Sequence, residues 1–503
     1  NFDGKSGYVG TEVSYDIDSL NLISAQLNFN ANSNESTSIQ NSALYHDVSL
    51  LQSYELTNNL AGSGSGVDAA INYQLGFKKD KNRLLTFSYR YYRFSNNQLN
   101  DVNISNPIAY NLPNYKQNNT GGSAEKTFQI DYVYPTKKVT IETGIKAIFR
   151  DNTSNFDFLS LQSGGLFVLD PARTNGFDNK QNVFGVYNTY QFNLKKWGIK
   201  AGIRLEQTEI DANFSELTNL SSSALNLIPS ISANRKFKDN SSLNFGFTSR
   251  IQRPGINQLN PFVDRSNPNF ESSGNPDLRP MSGQSIEVNY SRFKKASINI
   301  GLRGMFFDNV IMPRAVTDPT TNITRSSYGN TGNATLIGLN LNVNYPFSAK
   351  LRASINGMAS YGIVTGEING SMLKTSGMMG RASSSITYKP NKTWQTTASI
   401  NYSGPNFTLQ GRSNTFVSSS LSLSKELFKN KVSISLAANN AFDKYRSAIN
   451  TTKGPNFTQE SFSQNYQRNF TTSLNYRFGK LKEEIRKNKK GINNNDVSQG
   501  STL

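Results

Sequence analysis

Apolar and polar residues alternate strictly along much of this 503-residue chain, and short polar turns interrupt the alternation at intervals. Ile337, Leu339, Leu341, Val343 and Tyr345 oppose Gly338, Asn340, Asn342 and Asn344. In residues 297–303, Ile298, Ile300 and Leu302 stand against Ser297, Asn299, Gly301 and Arg303. In 285–293, Ile286, Val288 and Tyr290 share one face, while Glu287, Asn289 and Ser291 share the other. Phe470, Thr472, Leu474, Tyr476 and Phe478 repeat the pattern near the C-terminus. A period of two belongs to strands, because a helix would need apolar residues three and four apart.

One such strand would suit a soluble sandwich. About nineteen of them, mostly 10–13 residues long, do not fit one. A tilted strand crossing a bilayer needs roughly 9–11 residues, and the segments match that length. The polar face carries charges in mid-strand: Glu142, Lys146, Arg204, Glu206, Arg250, Glu287, Arg303 and Arg352. In a dry core these would be expensive, whereas a wet or plugged lumen accommodates them. On the other face Tyr290, Tyr345, Trp394, Tyr402, Tyr476 and Phe478 lie near strand ends, where an interfacial girdle belongs. Mean hydropathy is −0.53 although 11% of residues are aromatic. A barrel reconciles the two, since lipid-facing and lumen-facing residues average out along each strand.

The connections predict the topology. Short turns fall near 16–19, 78–81, 135–138, 194–197, 237–240, 293–295, 347–350, 390–393 and 428–431. Longer polar segments lie between them, including 97–122, 151–180, 253–281 and 443–460. Residues 50–58 read either as a further strand or as part of a long loop. Short and long connections in alternation are the mark of periplasmic turns and extracellular loops. The expected fold is therefore an all-β, transmembrane antiparallel barrel, with about nineteen strands present of an expected 22. The barrel occupies 1–478 and a basic periplasmic tail 479–503, with a weak helical pattern over 482–489. The missing strands and a plug are expected upstream of Asn1, as is an export signal.

A net charge of +18 raises nucleic acid as a partner. The cations cluster in the short turns, however, as in Lys78-Lys79-Asp80-Lys81, and no nucleic-acid motif accompanies them. Cationic turns beside an apolar band point to a membrane surface, with outer-membrane lipid as the partner.

The segment 253–281 reads RPGINQLNPFVDRSNPNFESSGNPDLRPM. Its end, Gly274, Asn275, Pro276, Asp277, Leu278, Arg279 and Pro280, resembles the GNP-x-L-x-P signature of TonB-dependent outer-membrane receptors. Arg253-Pro254 and Leu259-Asn260-Pro261 resemble the same region in the large outer-membrane β-barrel branch of that superfamily. The resemblance implies a 22-stranded barrel holding an N-terminal plug, which imports a scarce ligand with energy from a TonB complex. Siderophores, glycans and peptides all remain open as ligands. Read without the family, the prolines hold this stretch extended and Gly274 permits a sharp bend, making a rigid lead-in to the next strand.

Catalytic signals are missing. His46 is the only histidine and has Asp47 beside it, but no partner pattern for general-base chemistry surrounds it. There is no cysteine, no zinc-protease motif and no calcium-loop motif. Met358, Met372, Met378 and Met379 gather near one loop, which would suit packing or lipid contact better than a soft metal. No cofactor is expected. Glu142, Arg204, Glu206, Arg250, Glu287 and Arg303 are expected to face the plug or solvent. Two alternatives to a transporter remain: a barrel scaffold partnered by a surface lipoprotein or other envelope subunits, and a passive porin.

Overall fold

The computed structural model describes residues 2–478 except 47, 111–112, 215–219, 262, 266–268, 319, 322, 369, 430 and 455–457. Beyond 478 it describes residues 491, 492, 494, 496 and 497. The expected helix over 482–489 lies outside the described residues.

Among the described residues nineteen strands follow one another as an antiparallel meander. The first eight are β1 (Phe2–Asp16), β2 (Asn21–His46), β3 (Ser49–Phe77), β4 (Asp80–Ile108), β5 (Tyr115–Pro135), β6 (Val139–Leu161), β7 (Asn175–Asn193) and β8 (Trp197–Phe214). Next come β9 (Leu220–Lys236), β10 (Ser241–Gln252), β11 (Met281–Phe293), β12 (Ser297–Thr317), β13 (Thr324–Pro346) and β14 (Leu351–Ile368). The last five are β15 (Ser371–Tyr388), β16 (Trp394–Ser403), β17 (Phe416–Leu427), β18 (Val432–Asn439) and β19 (Asn469–Tyr476). Three short strands, Phe167–Leu169, Val263–Asp264 and Phe270–Ser273, join the same sheet and bring it to 22 members. A separate three-stranded sheet is built from Gly411–Ser413, Tyr445–Lys453 and Thr458–Tyr466.

All nine expected short turns are present. Their register is carried by side-chain caps such as Asp18, whose carboxylate accepts from the amides of Leu20 and Asn21 at 2.7 and 2.9 Å. Aromatic residues flank these turns, and cations lie over their rings. Arg83 lies 4.4 Å from the Phe77 ring centre, Lys425 lies 4.8 Å from Trp394, and Lys295 lies 5.4 Å from Tyr345. These rings and cations form an interfacial girdle at the short-turn end. Away from the turns the outer face is apolar and exposed, as at Ile145, Val186, Ile203, Leu205, Leu227 and Ile337. Lipid covers this band.

The opposite end departs from expectation. Strands run from 8 to 29 residues rather than 10–13. Much of 97–122 and 443–460 is strand, residues 50–58 belong to β3, and β2 meets β3 across residues 47–48 alone. The long connections were absorbed into strands that continue past the bilayer. There much of both faces is polar, so the alternation fades while the ladder continues, although Tyr54, Leu56, Val102 and Phe158 pack into one buried apolar cluster. Polar side chains bond across it: Thr37 Oγ1 to Asn59 Oδ1 at 2.9 Å, and Ser154 Oγ to Asn119 Oδ1 at 3.0 Å.

Candidate functional site

The connection from β10 to β11, residues 253–280, turns inward and is bonded to strands well separated around the sheet. At its start Arg253 is 0% exposed. Its Nη2 donates to Glu206 Oε2 at 2.8 Å and to Thr208 Oγ1 at 2.6 Å, both on β8. After a one-turn helix, Ile256–Leu259, Asn260 donates to Ser154 of β6 at 3.0 Å. The Tyr115 hydroxyl of β5 donates to the carbonyl of Arg265, and Asn269 donates to Gln52 of β3 at 2.7 Å. Glu271 accepts from Arg265 at 2.8 Å and from Arg325 of β13 at 2.9 Å. Phe270–Ser273 pairs in parallel with the start of β13. Anchored from β3 to β13, the connection is a crossbar inside the mouth of the barrel.

The stretch 274–280 ties the crossbar together. The Gly274 amide donates to the Asn260 carbonyl at 2.7 Å, and the Asn275 amide donates to that of Gln258 at 2.6 Å. A Cβ at Gly274 would meet the Asn260 carbonyl oxygen at 2.3 Å. Close backbone approach, not a bend of special φ, is therefore what demands glycine here. The stretch is not simply extended, because the Asp277 amide donates to Asn275 Oδ1 at 3.0 Å and forms a side-chain-capped turn. Leu278 is buried against Phe177, Ala212 and Leu259. Arg279 and Asn330 exchange hydrogen bonds of 2.8 and 2.9 Å, and Asn309 donates to the Pro280 carbonyl at 3.2 Å.

Below the crossbar the wall carries a continuous run of ion pairs. Asp68 holds Arg90 at 2.7 Å, and Arg90 reaches Glu125 at 3.9 Å. Glu125 accepts from Arg150 Nε at 2.6 Å. Arg150 and Arg253 both grip Asp496, at 2.6 and 2.7 Å. Arg253 continues to Glu206, which also holds Arg204 at 2.5 Å. Arg150, Arg253, Glu125 and Glu206 are buried, so each charge depends on its neighbours.

Of the charges expected on the lumen wall, Glu142, Arg204, Glu206 and Arg250 line one polar recess of about 540 Å³, together with Lys146 and Lys200. Glu142 accepts from Lys200 at 3.1 Å. Glu287 and Arg303 are brought opposite each other between β11 and β12, but both are exposed and stand apart from this recess. Glu125, Arg150 and Asp496 carry no sequence signal that marks them. Arg150 sits where the strand was expected to give way to loop, and Arg253 stood out only through the family resemblance. His46 ends β2, with its side chain outside the described residues. The methionines do not converge. Met372 and Met378 share the outer face with Tyr361, whereas Met358 and Met379 lie on the lumen face.

The profile of the outer membrane protein beta-barrel family matches residues 75–476. The chain belongs to that family. Membership places this β-barrel in the outer membrane. Among solved structures it is similar to the copper transporter OprC, with a TM-score of 0.64 and 11% identity over 94% of this chain and 80% of that one. The siderophore receptor PiuA from Acinetobacter baumannii gives a TM-score of 0.59 at 12% identity, over 94% of this chain and 81% of the other. The ferric-catecholate import receptor Fiu from E. coli K12 gives a TM-score of 0.59 at 10% identity, over 95% and 81%. These neighbours are a transporter and receptors, not enzymes. No curated protein sequence matches the chain.

Proposed function

We propose that this barrel is a receptor-like transporter that takes a scarce ligand at its long-strand end and passes it through the lumen to the periplasm. The inward crossbar at residues 253–280, above a charged recess, carries this reading. The bar narrows the mouth and shapes the path a ligand must take, and the recess beside it offers that ligand charged partners. The similar copper transporter and siderophore receptors share the barrel and support the class of activity. Siderophores, glycans and peptides remain the candidate ligands.

On this reading an N-terminal plug seats against the wall charges Glu142, Arg204, Glu206, Arg250, Glu287 and Arg303, and a TonB complex supplies the energy. Intact mass and N-terminal sequencing of the polypeptide from native membranes tests for the plug. Uptake of labelled iron chelates, oligosaccharides and peptides, with and without a protonophore, tests for energised transport. Import that requires this barrel and stops with the protonophore is the expected result. A plugged barrel with no energised uptake of any ligand would instead make it a scaffold for a surface lipoprotein or another envelope subunit.

A further inference from the structure

The pair Arg150 and Arg253 is built to receive a carboxylate, and the chain supplies one from far away in sequence. Arg150 Nη2 donates to Asp496 Oδ1 at 2.6 Å and Arg150 Nη1 to Oδ2 at 2.9 Å, a two-pronged contact. Arg253 Nη1 adds a third bond to Oδ2 at 2.7 Å. The backbone joins in, since the Arg253 amide donates to the Asp496 carbonyl at 2.8 Å and Arg253 bridges in parallel to Val497. Two residues earlier, Asn494 donates to Glu125 Oε1 at 2.5 Å and to Thr127 Oγ1 at 2.7 Å.

Charge explains why a carboxylate is wanted. Among the described residues, the run of ion pairs on the wall sets Arg90, Arg150, Arg204 and Arg253 against Asp68, Glu125 and Glu206. The run is one negative charge short, and the shortfall lies between its two most buried arginines. Guanidinium stays protonated, so it must be matched by a partner and not by loss of a proton. A planar carboxylate gripped bidentately is the partner its geometry suits.

We propose that the Arg150–Arg253 clamp is a carboxylate-binding site whose resident ligand is Asp496, making Gly491, Asn494, Asp496 and Val497 points of a tethered strap on the lumen wall. The strap runs from β5, through Asn494, to the root of the crossbar at Arg253. It covers one side of the recess, which Gly491 and Asp496 also line. Any anionic group that enters the recess must compete with it. The strap does not depend on the transport reading, because a scaffold barrel would hold it equally well.

The chain has no cysteine, so an introduced pair reports cleanly. The full-length protein would carry Thr127→Cys and Asn494→Cys, be oxidised in native outer membranes, and be analysed for linked peptides by mass spectrometry. Asn494→Cys paired with Ser285→Cys, on the lumen face of β11, is the control. Assembly of each variant is checked by its heat-modifiable mobility. The 127–494 link should exceed the control about tenfold. Asp496→Ala in the same background should lower it by about the same factor, and Asp496→Glu should restore much of it. A 127–494 yield no higher than the control would overturn the strap. A yield unaffected by Asp496→Ala would overturn the clamp as its anchor.

Discussion

The strands β3–β8 and β14–β19 belong to one sheet yet build two different walls. In β3 and β4 the strands reach 29 residues, and buried charges accumulate on the inner face of β5–β8 as Glu125, Asp131, Arg150 and Glu206. In β18 and β19 the strands are 8 residues long, and the lumen face of β14–β17 is largely small and polar, with pairs such as Ser399 and Ser420 at 2.7 Å. One wall carries cargo in its lumen, the crossbar and the strap, and the other is lightly covered. Its principal inward feature is an apolar tuck, where Phe407 and Leu409 pack against Val364 and Ile368. Buried charge and an internal occupant go together, because desolvated ions survive only where something else supplies their partners.

Removing that partner set should have the largest effect. Arg253→Ala takes one of two guanidiniums from both Glu206 and Asp496, leaving them Arg204 and Arg150, and breaking a buried pair costs about 3–5 kcal/mol. The expected result is protease cleavage within 253–281 in otherwise assembled barrels, and unchanged cleavage would break the contrast between the two walls. Leu278→Ala should follow at about 2–3 kcal/mol, the lower part of the range for a buried leucine, read as faster hydrogen exchange across the crossbar. Gly274→Ala should cost about 1–3 kcal/mol by the same measurement, because the new Cβ must displace the Asn260 backbone. On the other wall Arg381→Ala, on the lumen face of β15, should stay within about 0.5 kcal/mol in thermal unfolding, since the residue is exposed. A large loss there would show that the lightly covered wall also holds an occupant.

The smallest effect concerns a turn outside the bilayer. The amide of Leu20 and then the side chain of Asn21 hold the Asp18 carboxyl below its ordinary value of 3.8. A lowered carboxyl contributes order that is fully present above that value and lost as pH falls through the lowered folded-state value. Exchange of the Leu20 and Asn21 amides should therefore quicken only in acid below pH 3.8.

The turns and the membrane-crossing strands were legible because each is a local matter. Ile337 to Tyr345 alternate since one face meets lipid, and the turns at 237–240 and 347–350 are marked by their own polar residues. Strand length was not legible. Past the bilayer, in residues such as 30–41 and 57–66, both faces meet water or polar neighbours, and the period that marks a strand disappears while its ladder persists. The mid-strand charges of Glu142, Arg204, Glu206 and Arg250 announced a lumen, and the structure gathers those four into one recess while leaving Glu287 and Arg303 apart.

By itself, then, the sequence determined the meander, its nine tight turns, its outward face and the composition of its inner one, all of which follow from neighbours along the chain and from the solvent on each side. Only the tertiary structure decided that residues 253–280 fold inward and that Gly274 is needed for the approach of Asn260. The same holds for the meeting of Arg150, Arg253 and Asp496. These are contacts between residues up to 346 positions apart. Their partners are chosen by burial and charge balance within the lumen, which no local pattern encodes.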